Sequence, residues 1–276
     1  MEGRPMRKQS SGGMYRQFCL ADRPNHLRIL KQAAEETDGF GVLSQATVSD
    51  SVEDLVAELD VPVIVDCGAF AEDDFDGTLI DLADTYQRMG ADYGLIPDVI
   101  GDREGTDDSV AHATRLWQRG HPRWSFEPVA VAQGQSPREY ASSYWDCYQM
   151  GADRIAVGGL LDTDGKRSGG HATGADDLFE VLRYIRDSHP RIWSETWTFA
   201  LGCDHPDRRP RFRTLGVNAA DSKRWLFQYD QSSRKSRDDQ LTAEVVRSAT
   251  QQQATLLRAD GGRNSRYMRP GTERKE

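Results

Sequence analysis

VPVIVDCGAF, residues 61–70, is a short run of branched apolar residues that stops on an aspartate and a glycine. Continuous Val/Ile suits a strand covered on both faces, as in a parallel sheet, rather than one that alternates between core and solvent. Seven further runs share this character: MYRQFCLAD (14–22), GFGVLSQA (39–46), ADYGLIPDVIG (91–101), FEPVAVAQG (126–134), DRIAVGGL (153–160), TWTFALGC (196–203) and TLGVNAADS (214–222). Helical patterns lie between them. SVEDLVAELD (51–60) follows Ser49 and Asp50 as capping residues, and FDGTLIDLADTYQRMG (75–90) closes on Gly90. SPREYASSYWDCYQMGA (136–152) opens with a Ser136 cap and a first-turn Pro137, and GADDLFEVLRYIRDSH (174–189) stops before Pro190. Eight strands alternating with helices predict an α/β fold, a single-domain (β/α)8 TIM barrel; a doubly wound sheet is the rival that periodicity alone leaves open.

The 276 residues exceed one average domain, but barrels of about 250 residues fold as one unit. Residues 1–13 read as a disordered leader without the apolar core of a signal peptide, 14–258 as the barrel, and 259–276 as a basic flexible tail. A last helix is expected near 239–258. No run of about 18 apolar residues is present, which argues against a membrane span. Cys19, Cys67, Cys147 and Cys203 are too scattered for a disulfide framework or a zinc knuckle, and they point to a reducing cytoplasm. Cys203 and His205 in GCDHP offer at most two metal ligands, so no metal site is expected.

The net charge is −9, yet it is unevenly spread. Residues 1–205 hold 19 basic and 35 acidic groups, whereas 206–276 hold 16 basic and 9 acidic groups. That asymmetry points to polyanion contact by the C-terminal part. The abundance of acid and scarcity of lysine also suit a high-salt cytoplasm; the bland alternative is an ordinary acidic surface.

Barrel chemistry sits where strands end. Asp66 follows VPVIV, Asp98 follows GLIP, Gln133 follows PVAVA, Gly158 and Gly159 follow RIAV, and Asp221 follows LGVNAA. One such aspartate is explained by helix capping; three at matching ends are harder to explain that way, because a buried carboxylate needs partners. No GxGxxG after a strand, Walker loop, GxSxG elbow or HExxH occurs, and the strand-end signatures contain no histidine for a nucleophile relay. The chemistry left is a carboxylate nucleophile beside a carboxylate acid/base, the pairing used in glycosyl transfer. A glycine pair lets backbone approach a flat ligand or simply makes a tight turn, and Gln133 has both donor and acceptor for a purine-like edge.

These residues resemble a known family. DCGAF (66–70), PVAVAQG (128–134), DRIAVGGL (153–160) and LGCDHPDRRPRFRTLGVNAADSKRW (201–225) look, in order, like the motifs of the tRNA-guanine transglycosylase superfamily. The resemblance covers about residues 15–230. It implies Asp221 as the nucleophile that attacks the ribose anomeric carbon and Asp66 as the general acid/base. It implies base recognition by Asp98, Gln133, Gly158, Gly159 and Leu160, with Phe70 as an aromatic beside the base. Asn218 stands where the family has the first aspartate of its G-V-D-x-x-D motif. The family's zinc motif is not recognisable, so no cofactor is expected, and the RNA-binding C-terminal domain of the archaeal tRNA enzymes is not seen. These departures, with IPDVIGD, look more like the DNA-guanine transglycosylases of 7-deazaguanine DNA modification, of archaeal or viral type. The implied reaction exchanges guanine in DNA for a 7-deazaguanine, foremost 7-cyano-7-deazaguanine. Arg208, Arg209, Arg211, Arg213, Lys223 and Arg224 flank Asp221 as candidate phosphate contacts, or as an ordinary solvated loop. The alternatives are the same chemistry on tRNA with a separate RNA-binding subunit, a non-catalytic nucleic-acid-binding partner, and an unrelated barrel enzyme. A homodimer or accessory subunit stays open.

Overall fold

The computed structural model describes residues 15–68, 77–99, 102–120, 123–160, 175–229 and 231–264. Eight strands form a closed, all-parallel barrel in chain order, so the rival open sheet is set aside. They are β1 (Arg16–Leu20), β2 (Phe40–Gln45), β3 (Val63–Asp66), β4 (Tyr93–Leu95), β5 (Glu127–Ala132), β6 (Arg154–Val157), β7 (Trp197–Ala200) and β8 (Ala219–Ser222). Each falls inside one of the eight runs read from the sequence. Around them lie α1 (Pro24–Glu36), α2 (Asp50–Ala57), α3 (Leu79–Arg88), α4 (Arg103–Gly120), α5 (Pro137–Gln149), α6 (Ala175–Ser188), α7 (Pro190–Glu195), α8 (Arg209–Leu215) and α9 (Arg237–Asn264).

Local chemistry explains the helix ends. Ser136 accepts from the Glu139 N–H and Pro137 opens α5, as the sequence predicts. Helix α3 begins at Leu79 rather than near 75, because Thr78 and Asp81 close a capping box that starts the helix there. Pro190, expected as a stop, also starts α7. Helix α9 runs further than expected, to Asn264, so part of the predicted tail is helical backbone; residues 1–14 and 265–276 lie outside the described residues.

Strand side chains alternate between the barrel interior and the helix layer. Phe18, Leu43, Ile64, Leu95, Val129, Val131, Ala156, Phe199 and Ala219 form the interior cluster. The larger core lies between strands and helices, including Tyr86, Trp117, Phe126, Tyr140, Tyr144 and Phe212. Tyr93 stacks on Trp197 at the start of the strands, which closes that end of the barrel. All four cysteines are buried thiols. Among the described residues no helix is long and apolar enough to cross a membrane.

Candidate active site

The interior register points at the site. Two residues beyond Ile64, Val131, Ala156 and Ala219 stand Asp66, Gln133, Gly158 and Asp221. Period-two alternation therefore turns each of them into the barrel at the C-terminal end of its strand.

Asp221 is 2% exposed. The Gly202 N–H donates to its Oδ1 at 2.7 Å, and the Asp204 N–H donates to its backbone carbonyl at 2.8 Å. Burial pushes its acid up to about 7; the negative charges of Asp66 and Asp204 add to the rise, and the Gly202 bond opposes it. Asp66 is also buried, and burial raises its acid above the usual carboxylate range against hydrogen bonds from Gly68 and Cys67. Asp98 is half-buried at the rim, and burial with the Asp66 charge carries it up to about 6. Asp66 thus acts on both other acids, so the three carboxyls share one electrostatic site.

Gln133 is 0% exposed and donates Nε2 to Asp98 Oδ2 at 2.5 Å. Its Oε1 is buried without a partner. An orphan buried acceptor costs about 1–3 kcal/mol, so this one suits a ligand donor. Gly158 makes room for the amide: a Cβ there would meet Gln133 Nε2 at 2.5 Å. Tyr140 Oη donates to the Gly158 carbonyl at 2.9 Å and pins the segment that leads to Gly159 and the buried Leu160. Phe70 lies outside the described residues.

The arginines divide. Arg209 is turned inward: its Nε and Nη2 donate to Asp204 at 2.9 and 2.5 Å, and Nη1 donates to Ser248. Arg208 Nη1 donates to the Cys203 carbonyl at 3.1 Å, and Arg213 lies over the Tyr15 ring. Lys223 pairs with Asp22 at 2.7 Å. Arg211 is exposed over Phe179, and Arg224 is exposed at the start of a 3-10 turn, Arg224–Phe227. Of these six neighbours of Asp221 in sequence, Arg208, Arg209, Arg211, Arg213 and Lys223 have the protein partners just given, and Arg211, Lys223 and Arg224 are exposed.

Asp204 is the residue that sequence reading passed over, although it follows strand β7 as the other acids follow theirs. It was legible only as the neighbour of Cys203 and His205. The Cys203 thiol is pushed up by burial and donates to the Leu201 carbonyl, and His205 Nδ1 accepts from the Asp207 N–H. No cluster of three or more His, Cys, Asp or Glu suited to a metal occurs among the described residues. No protein-family model matches the chain, and no curated protein matches it.

Proposed function

We propose that this chain is a base-exchange transglycosylase that replaces guanine in DNA by a 7-deazaguanine through a covalent intermediate on Asp221. The observation that supports it most is the placement of Asp66, Asp98 and Asp221 at the strand ends of one barrel mouth, beside a buried amide that holds Asp98 and keeps a free acceptor. Acids that burial raises above the usual carboxylate range can divide between a nucleophile and a proton carrier.

In this reading the Gly202 N–H fixes Asp221 Oδ1, and Oδ2 attacks C1′ of the target nucleotide. The C1′–N9 bond breaks, its electron pair leaves with guanine, and protonated Asp66 gives its proton to the departing base. The incoming 7-deazaguanine passes its N9 proton to Asp66, its nitrogen attacks C1′, and Asp221 leaves as a carboxylate. Asp98 accepts from the base N1–H and amino group, and Gln133 Oε1 accepts a further donor. Duplex DNA must present its guanine outside the stack, at an unstacking cost of a few kcal/mol. Arg211, Lys223 and Arg224 are the exposed candidates for phosphate contacts.

Exchange of labelled guanine into duplex DNA and into tRNA, with Asp221→Ala as control, tests this. Label entering DNA alone, and lost in the variant, supports the proposal. Label entering tRNA alone moves the same chemistry to tRNA, and label in neither refutes base exchange.

A further inference from the structure

We propose that the buried Asp204–Arg209 pair is the positioning device of the nucleophile, clamping the 202–204 turn whose N–H groups hold Asp221. This rests on Asp221 being the reactive carboxylate.

The turn is fastened from several sides. Asp204 is 7% exposed and its carboxylate accepts from Tyr15 Oη at 2.5 Å and from two nitrogens of Arg209. Side-on pairing of a guanidinium with a carboxylate fixes direction as well as distance. Arg208, next on the chain, holds the Cys203 carbonyl. Arg209 also donates to Ser248 of α9, which donates in turn to Gln17 of β1 at 2.7 Å. Gln17 is in register with Ala220, the residue before Asp221. One guanidinium thus ties the loop after β7, the helix α9 and, through Ser248, strand β1 together around β8.

The other end of the clamp is backbone. Gly202 has a φ of +69°, a conformation costly for any side-chain-bearing residue, and in it the Gly202 N–H meets Asp221 Oδ1. Asp204 N–H holds the Asp221 carbonyl. Because Asp204 is itself charged and acts on Asp221, its partner matters twice. Arg209, paired with the Asp204 carboxylate, offsets part of the charge that Asp204 presents to Asp221. With Arg209 gone, the whole Asp204 charge faces the nucleophile. The groups that act on or respond to Asp221 are Asp66 of β3, Asp204 and Cys203 of the turn, and Cys19 of β1, with Arg209 reaching it through Asp204.

The test is the titration of Asp221 in the full chain, followed by carboxyl carbon NMR and assigned by its loss in Asp221→Asn. Arg209→Met is expected to raise the titration by about one pH unit or more, the effect of one nearby charge. Asp204→Asn is expected to lower it, and the double variant to return it toward the wild-type value. A role confined to stability would leave the Asp221 titration unmoved in folded variants, and that result overturns the proposal. If Arg209→Met does not fold, Asp204→Asn alone decides, since it keeps the side-chain volume; a titration that fails to fall refutes the clamp. The measurement needs no turnover, so an absence of base exchange would defeat the functional reading and leave this one to be judged by the titration.

Discussion

Replacing Asp221 by asparagine removes a charge that the fold pays to hold. The side chain is 2% exposed, and burial with two neighbouring acids lifts its acid from 3.8 to about 7. The folded state therefore binds this proton more tightly than the unfolded chain does. Between about pH 4 and about pH 7 stability falls as pH rises, and above about 7 the whole cost is present. At about 1.4 kcal/mol per pH unit, ionised Asp221 costs about 4 kcal/mol. Asparagine avoids that cost and keeps an acceptor for Gly202. Asp221→Asn should thus be more stable than wild type by about 4 kcal/mol near pH 8, with the gap closing toward pH 4. Urea unfolding at the two pH values measures this. An asparagine variant no more stable than wild type near pH 8 would refute the claim that Asp221 is held at a cost to the fold.

Other perturbations separate site from scaffold. Arg224→Ala should weaken DNA binding and lower the salt dependence of affinity by about one ion, whereas Arg209→Met should leave that slope alone and lose about 3–5 kcal/mol of stability in urea unfolding. Gly158→Ala should displace the Gln133 amide, since the new Cβ meets Nε2 at 2.5 Å, and weaken free-base binding at least about tenfold by calorimetry with the fold intact. In the proposed exchange Asp221 must be ionised and Asp66 protonated, so the rate should rise with pH toward about 7 and fall again where Asp66 loses its proton; a rate that does not change with pH would contradict it.

The sequence was most legible where a signal is local. Each strand announced itself by a short apolar run ending in polar residues, and strand parity alone turns Asp66, Gln133 and Asp221 inward. Ser136 and Gly90 were legible because caps are read within one turn. Helices α1 and α4 were not assigned. The apolar stripe of α1, Leu27, Ile29, Leu30 and Ala33, is interrupted by polar residues, and α4 is rich in charge. The clamp was hidden for a different reason. Asp204 gains its meaning from Tyr15, 189 residues away in the chain, and Arg209 from Ser248, 39 residues away. Nearness in sequence suggested that Arg209 faces a phosphate; packing gives it a carboxylate instead.

The most direct test of the central claim is to mix the protein with guanine-containing DNA, quench in denaturant, and look for a protein–DNA adduct by gel and intact mass. The account predicts an adduct on Asp221 that incoming base discharges and that Asp221→Asn abolishes. Base exchange without any adduct, or an adduct that survives Asp221→Asn, would contradict it.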